Sequence, residues 1–317
     1  MQLEPVVPPC RTVVQQSDDA ILWVAPEAGK DRIRLAAWCA AVGPIARFTP
    51  LGIPGGEARP LVVTSWNMAV GSGDLSKLIS DVRSDSRHAG AHFVFLLQEA
   101  YRWSDDKLPT HCEGLGVTDR LGPIPRSDKR DVLKIAEELS LHAAYVPSMR
   151  NSVTCDELPR EDRGNAILST LPLANVAVIE LPFTQQRRVA VAATITNGGS
   201  AVAVISLHFD TVLRKGRQAR GVLDAIRALQ LKPPMPIIAA GDFNDMSAGA
   251  GVREMLKRGP FDAAFSEASC GEEPTHNRIP RVRLDHVLTR SIEATSCETL
   301  TEAHGSDHQP ILARFEF

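Results

Sequence analysis

The stretch Ile237-Ile238-Ala239-Ala240-Gly241-Asp242-Phe243-Asn244 decides how the chain is read, because an apolar run of strand length ends abruptly in polar groups suited to catalysis. The same arrangement recurs outward from it. Val62–Trp66 leads to Asn67, Val94–Gln98 to Glu99 and Ala203–Leu207 to His208. Near the C-terminus Arg283-Leu284 leads to Asp285, and Gly305-Ser306 to Asp307 and His308. Charges beside buried strands are costly unless paired, hydrogen-bonded or bound to a cation, so this many of them implies one shared site at one end of the sheets. Singly, each reads first as a cap or surface group. The ordered set carries the argument.

Between these runs the sequence alternates strand and helix patterns. Leu61–Trp66 is followed by the helical pattern Leu75–Arg87, then Phe93–Gln98, then Asp131–Leu141, which indicates an α/β type. Strand-length runs continue at Ala143–Pro147, Asn165–Ser169, Val176–Leu181, Arg188–Thr196 and Ala201–Phe209, the last two joined by a hairpin signal, Asn197-Gly198-Gly199. A helix pattern at Gln218–Leu229 precedes the strands Ile237–Ala240, Arg283–Thr289 and Ile311–Phe317. About ten or more strands crowd one open sheet, so two packed sheets are expected. Eight of the 22 prolines lie in residues 1–60, an irregular segment with one short strand pattern, Ala20–Ala25, and an amphipathic stretch, Asp31–Val42. Gly52, Pro54, Gly55, Gly56 and Pro60 punctuate its end, so residues 1–60 are read as an N-terminal extension packing on or preceding a catalytic domain at 61–317.

The 317 residues are 44% hydrophobic with a net charge of −3. A mean hydropathy of −0.09 and the lack of a long apolar run exclude a helical membrane span, and collagenous and disordered classes fall as well. With a pI of about 6.3, any polyanion binding must come from a local patch or a bound cation. Met1-Gln2-Leu3-Glu4-Pro5 shows no basic segment followed by an apolar one, so the compartment stays open: cytoplasmic, or extracytoplasmic after removal of a leader. The six cysteines are compatible with neighbouring disulfides or with buried free thiols, and the absence of CxxC argues against a zinc site.

Taken in order, Ser65-Trp66-Asn67, Leu96-Leu97-Gln98-Glu99, Gly164–Ser169 (GNAILS), Ser206-Leu207-His208, Gly241-Asp242-Phe243-Asn244, Leu284-Asp285-His286 and Gly305-Ser306-Asp307-His308 resemble the motifs of the endonuclease/exonuclease/phosphatase superfamily. The resemblance covers Leu61 to Phe317, and GDFN with GSDH is its most specific portion. It implies a four-layer α/β sandwich, two packed mixed β-sheets flanked by helices as in deoxyribonuclease I, and cation-assisted cleavage of a phosphate ester.

The residue types suit that chemistry. A phosphate diester repels hydroxide, so its cleavage needs a cation on an oxygen, an activated water and donors to the developing charge. Oxygen ligands suit Mg²⁺ or Mn²⁺. The resemblance implies Glu99 as first ligand, with Asn67 beside it and Asp307 as a further contributor. It places Asp242 as the group that orients or deprotonates water, Asn244 as an uncharged donor to a phosphoryl oxygen, and His308 on the scissile phosphate with Asp285 fixing its tautomer. His208 matches a histidine of the deoxyribonuclease and sphingomyelinase branches, a phosphate ligand or leaving-group acid.

On the substrate side, Arg163 and Asn165 open the GNAILS strand, and His276 precedes Leu284-Asp285-His286 where related enzymes carry a substrate-facing loop. Arg187, Arg188, Arg214 and Lys215 are further candidates for phosphate, while Arg217 and Arg220 read as solvated helix-start charges. The insertion Tyr101–Lys129, with Trp103, His111 and Cys112, is expected at the rim. The leading reading is a nuclease-like, metal-dependent phosphodiesterase whose partner is a phosphate-ester substrate, with nucleic acid the leading class. The alternatives are a lipid or small-molecule phosphoesterase and a catalytically inactive binding scaffold. Aromatics at 5%, with no exposed apolar hairpin, weaken membrane-lipid cleavage.

Overall fold

A computed structural model of the chain describes residues 12–14, 21–24, 35, 38–51, 57–103, 118–119, 130–151, 161–211, 214–257, 265–277 and 280–317. In chain order its elements are β1 (Thr12–Val14), β2 (Leu22–Val24), β3 (Ile45–Phe48), β4 (Leu61–Asn67), α1 (Leu75–Ser84), β5 (His92–Trp103), β6 (Thr118–Asp119), α2 (Val132–Glu138), β7 (His142–Asn151) and β8 (Glu161–Ser169). They continue with β9 (Ala174–Glu180), β10 (Val189–Asn197), β11 (Ser200–His208), α3 (Lys215–Ala228), β12 (Ile237–Asp242), α4 (Ala250–Leu256), β13 (Ser266–Glu267), β14 (Asp285–Arg290), β15 (Ser296–Thr299) and β16 (Ile311–Phe315).

Two mixed sheets result. One runs β1-β3-β7-β8-β5-β4-β16-β15, with β6 added beside β7, and the other runs β13-β14-β12-β11-β10-β9-β2. Successive side chains on a strand face opposite ways, and here both faces are buried. Leu61 and Val63 of β4, Val94 and Leu96 of β5, Val202 and Val204 of β11, and Ile238 and Ala240 of β12 meet in one core between the sheets. The alternate residues face outward: Val62, Trp66, Phe93 and Phe95 pack with α1 and α2, while Ala203, Ile205, Ile237 and Ala239 pack with α3 and α4. The result is the four-layer α/β sandwich expected, and burial on both faces explains why the strands read as continuous apolar runs.

Asn197-Gly198-Gly199 is a two-residue hairpin turn: Asn197 pairs with Ser200, and both glycines have positive φ, 55° and 86°. The sheets run across the compositional boundary at Leu61. β1 and β3 lie in the first sheet and β2 forms an edge of the second, so the described strands before Leu61 extend both sheets. The insertion begins as the end of β5, and Thr118–Asp119 pairs with β7; His111 and Cys112 lie outside the described residues.

Disulfide pairing replaces the alternative of free thiols at the described cysteines. Cys270 bonds to Cys297, and Cys39 is also disulfide-bonded. Cys10, Cys112 and Cys155 lie outside the described residues. The Cys270–Cys297 bond ties the two sheets together at one shared edge of the sandwich, because Cys270 follows β13 at the end of one sheet and Cys297 lies in β15 at the end of the other. Among the described residues no helix is long and apolar enough to cross a membrane.

Candidate active site

Strand register assembles the site. In the parallel pair β11–β12, His208 lies opposite Asp242, and in the antiparallel pair β12–β14, Asp242 lies opposite Asp285, so three polar residues stand abreast. Each shares its inward parity with a residue of the inter-sheet core, Val204, Ala240 and Val287, but sits where that apolar core has ended. Across from them, Asn67 shares the parity of Leu61 and Val63 and pairs with Gln98 of β5.

Glu99 obeys a different rule. Leu97 and Ala100 both belong to the outer core, so regular alternation would send Glu99 outward. A bulge between Leu97 and Ala100, with Glu99 at φ 50°, turns it instead into the cleft. A left-handed non-glycine residue costs roughly 1–3 kcal/mol, which the surrounding structure must offset. Asn244 has φ 48°, a conformation that asparagine tolerates well.

Asp242 is 2% exposed and anchored on both oxygens. Asn67 Nδ2 donates to its Oδ2 at 2.9 Å and the Asn244 backbone N–H to its Oδ1 at 2.7 Å. Asn244 Nδ2 donates to the Phe209 carbonyl at 2.9 Å. His308 Nδ1 lies 2.8 Å from Asp285 Oδ2, and its Nε2 lies 3.8 Å from Asp242 Oδ2. His208 Nε2 approaches the same Asp242 oxygen at 3.5 Å.

The two histidines are driven to opposite charge states. For His308, burial favours the neutral ring, but Asp285 and Asp242 outweigh it and raise its pKa to about 10. For His208, burial together with Arg188 and Arg163 holds the pKa well below the usual imidazole value. Arg188 Nη1 lies 3.1 Å from His208 Nδ1. A guanidinium only donates, so Nδ1 accepts and the His208 proton is assigned to Nε2, facing Asp242. Burial raises Asp242 to about 6, partly opposed by His308 and by the donors from Asn244 and Asn67.

The remaining candidates arrange around this centre. A cleft of about 420 Å³ is lined by Asn67, Glu99, His208, Asp242, Asn244, His276, Asp307 and His308, with Arg188 beside them. His276 packs edge-on against His308, ring centroids 4.9 Å apart, and lies 3.9 Å from Asp307 Oδ2. Asp285 stands behind His308, and its backbone N–H donates to Thr275 Oγ1 at 3.0 Å. Arg163 and Asn165 are 1% and 2% exposed and do not line the cleft; Asn165 Nδ2 donates to the carbonyls of Val189 and Ser206. Of the other basic candidates, Arg187 pairs with Glu180 away from the cleft, and Lys215 donates to the Asn244 carbonyl.

Asp210 had no signal of its own in the sequence. Its Oδ2 accepts hydrogen bonds from Thr184 Oγ1 and from the backbone N–H groups of Gln185 and Gln186, tying down the loop that delivers Arg188. Only its place two residues after His208 could have drawn attention to it.

The donor set fits a hard divalent cation. Glu99, Asp307 and Asn67 offer oxygens in the same cleft as His208 and Asp242, with no cysteine among the cleft residues. Asn67 Oδ1 accepts one bond, from the Ala69 N–H at 3.0 Å, and a carbonyl oxygen has a second lone pair.

Comparison with known proteins points the same way. A model of the Endonuclease/Exonuclease/phosphatase family matches residues 64–308. No curated protein sequence matches the chain. Among solved structures, an endonuclease/exonuclease/phosphatase from Beutenbergia cavernae is similar at 17% identity and TM-score 0.57, over 82% of this chain and 72% of that one. The human Nocturnin catalytic domain with bound sulfate is similar at 17% identity and TM-score 0.56, over 86% and 97%. A mannosyl-6-phosphatase from Bacteroides thetaiotaomicron gives 14% identity and TM-score 0.52, over 81% and 100%.

Proposed function

Because the chain belongs to the endonuclease/exonuclease/phosphatase family, whose members are phosphoesterase hydrolases, we propose that it is a divalent-cation-dependent, nuclease-like phosphodiesterase. One observation carries this reading: a buried carboxylate, Asp242, is held by Asn67 and Asn244 between a charged histidine and a neutral one, in a cleft whose lining also offers oxygen ligands.

Glu99, with Asn67 and Asp307, would hold Mg²⁺ or Mn²⁺. When bound, such an ion would supply positive charge for the phosphoryl and leaving oxygens. Asp242 takes a proton from water as the water oxygen bonds to phosphorus, and its two anchoring hydrogen bonds fix its orientation. His308, charged and oriented by Asp285, donates to the phosphoryl oxygens; neutral His208 presents Nε2–H as a hydrogen-bond donor to phosphate, its only proton being needed there, so of its two expected roles the phosphate ligand is favoured and the leaving oxygen takes its proton from solvent as the ester bond breaks. The Asn244 amide adds a donor without adding repulsive charge. Arg188 is the guanidinium in the cleft and balances substrate phosphate, while Arg163 and Asn165 support its floor and His276 its substrate-facing side. The net charge of −3 gives no general attraction to polyanions, so binding rests on these groups.

The test is hydrolysis of DNA, RNA, bis-p-nitrophenyl phosphate and p-nitrophenyl phosphate in Mg²⁺, in Mn²⁺ and in chelator. The expected result is diester cleavage that chelator abolishes and His308→Ala lowers by about 10²–10⁴-fold. Cleavage of the monoester with diesters and nucleic acid left intact would assign a phosphatase instead, as in the mannosyl-6-phosphatase neighbour. Equal activity with chelator and in the variant would reject the mechanism.

A further inference from the structure

A second cluster of ligand-type side chains lies outside the cleft. Asp81 on α1, and Glu302 and His304 in the turn before Gly305, bring one ligand atom each within 4.8 Å of one another. The two carboxylates are exposed, at 45% and 58% of their side-chain surface, whereas the His304 side chain is 98% buried, its exposure being 2%. His304 Nδ1 is a buried ring nitrogen with no hydrogen-bond partner among the described residues. It points at Asp81 Oδ2, 3.7 Å away, and at Glu302 Oε1, 3.9 Å away. Those gaps are too long for hydrogen bonds. They approach the spacing of donors that share one ion, since ligand atoms about 2.0–2.2 Å from a metal stand roughly 3–3.6 Å apart.

We propose that Asp81, Glu302 and His304 form a second divalent-metal site, one imidazole with two carboxylates, suited to a borderline transition ion such as Zn²⁺. The imidazole favours such an ion over Mg²⁺. The exposed carboxylates give it a path from solvent, and three protein ligands leave room for water. Lys77 Nζ now bridges Asp81 and Glu302 at 2.6 and 3.2 Å, so an ammonium neutralises the acids and competes for them. The His304 ring meets Trp66 edge-on at 6.1 Å, which fixes its aim.

The placement gives the ion a structural consequence. The Asp74 N–H, at the start of α1, donates to the His304 carbonyl at 2.7 Å, and Trp66 Nε1 donates to the His308 carbonyl at 3.0 Å. An ion at this cluster therefore clamps the turn that leads into Asp307 and His308 against α1. This inference stands independently of the proposed catalytic activity.

The test is a Zn²⁺ titration of the full chain followed by NMR of the His304 imidazole, a readout that the active-site cleft does not supply. Wild-type protein is expected to shift the His304 resonances and raise its melting temperature. Asp81→Asn combined with Glu302→Gln, both at exposed positions, is expected to weaken that response about tenfold or more. Lys77→Ala removes the competing cation and is expected to strengthen it. His304 resonances that ignore Zn²⁺, or that respond equally in the double variant, would overturn the proposal.

Discussion

At the residue scale, the proposed mechanism rests on Asp242 and His308 holding charges that their burial opposes. Asp242 must be ionised to accept a proton, so kcat/KM on bis-p-nitrophenyl phosphate is expected to rise with pH through about 6; His308 must keep its proton, so the rate falls as pH climbs through about 10. A bound cation moves the acid limb lower. Asp285 is the chief neighbour raising His308, so Asp285→Asn is expected to bring the alkaline limb down towards the ordinary histidine range, with a loss of about 10²-fold or more. An alkaline limb unmoved in that variant would detach His308 from the charge balance described. Asn244→Asp, which sets a second carboxylate 3.4 Å from Asp242 Oδ2, is expected to cost about 10²-fold in kcat/KM by repelling phosphate and disfavouring ionised Asp242. Full activity in Asn244→Asp would show that its uncharged amide is not needed.

At the element scale, the spacing of neighbouring strands sets the distance between the polar groups of the cleft. A Cβ on Gly241 would stand 1.9 Å from the Leu207 carbonyl oxygen, so β11 and β12 reach register only with glycine there. Gly241→Ala is expected to lower the urea midpoint, corresponding to about 1–3 kcal/mol, and to reduce activity by moving His208 from Asp242. An unchanged midpoint would refute that requirement. The disulfide acts at the sheet edges. Replacing Cys270 and Cys297 with serine opens a link of sequence separation 27 and is expected to cost about 3–4 kcal/mol in thermal or urea unfolding. Strands were legible wherever an apolar run ended in a polar group, as at Leu61–Asn67 and Ile237–Asp242. β3, β15 and α4 were not. β15 carries Ser296, Glu298 and Thr299 on a half-exposed edge, and α4 has only seven residues, too few for a helical period to stand out.

At the scale of the whole molecule, the sandwich architecture converts sequence order into a site. Residues far apart in the chain meet because inward-facing positions of both sheets converge where the apolar core stops. The polar residues that terminate the strands stand out in the amino-acid order itself, so the polar centre of the cleft is legible there. Its depth is not. Arg163 and Asn165 sit at the start of an inward-facing strand, but burial between the sheets turns them into support rather than lining, and no periodicity distinguishes those outcomes. Arg188 shows the converse, because its entry into the cleft depends on a loop pinned by Asp210.

The most direct measurement is anomalous diffraction from crystals soaked in Mn²⁺ and phosphate. The expected result is a peak within about 2.0–2.3 Å of the Glu99 carboxylate, with phosphate between it and His308. A cleft that takes no ion at saturating Mn²⁺, or an ion bound away from Glu99, would contradict the proposed mechanism.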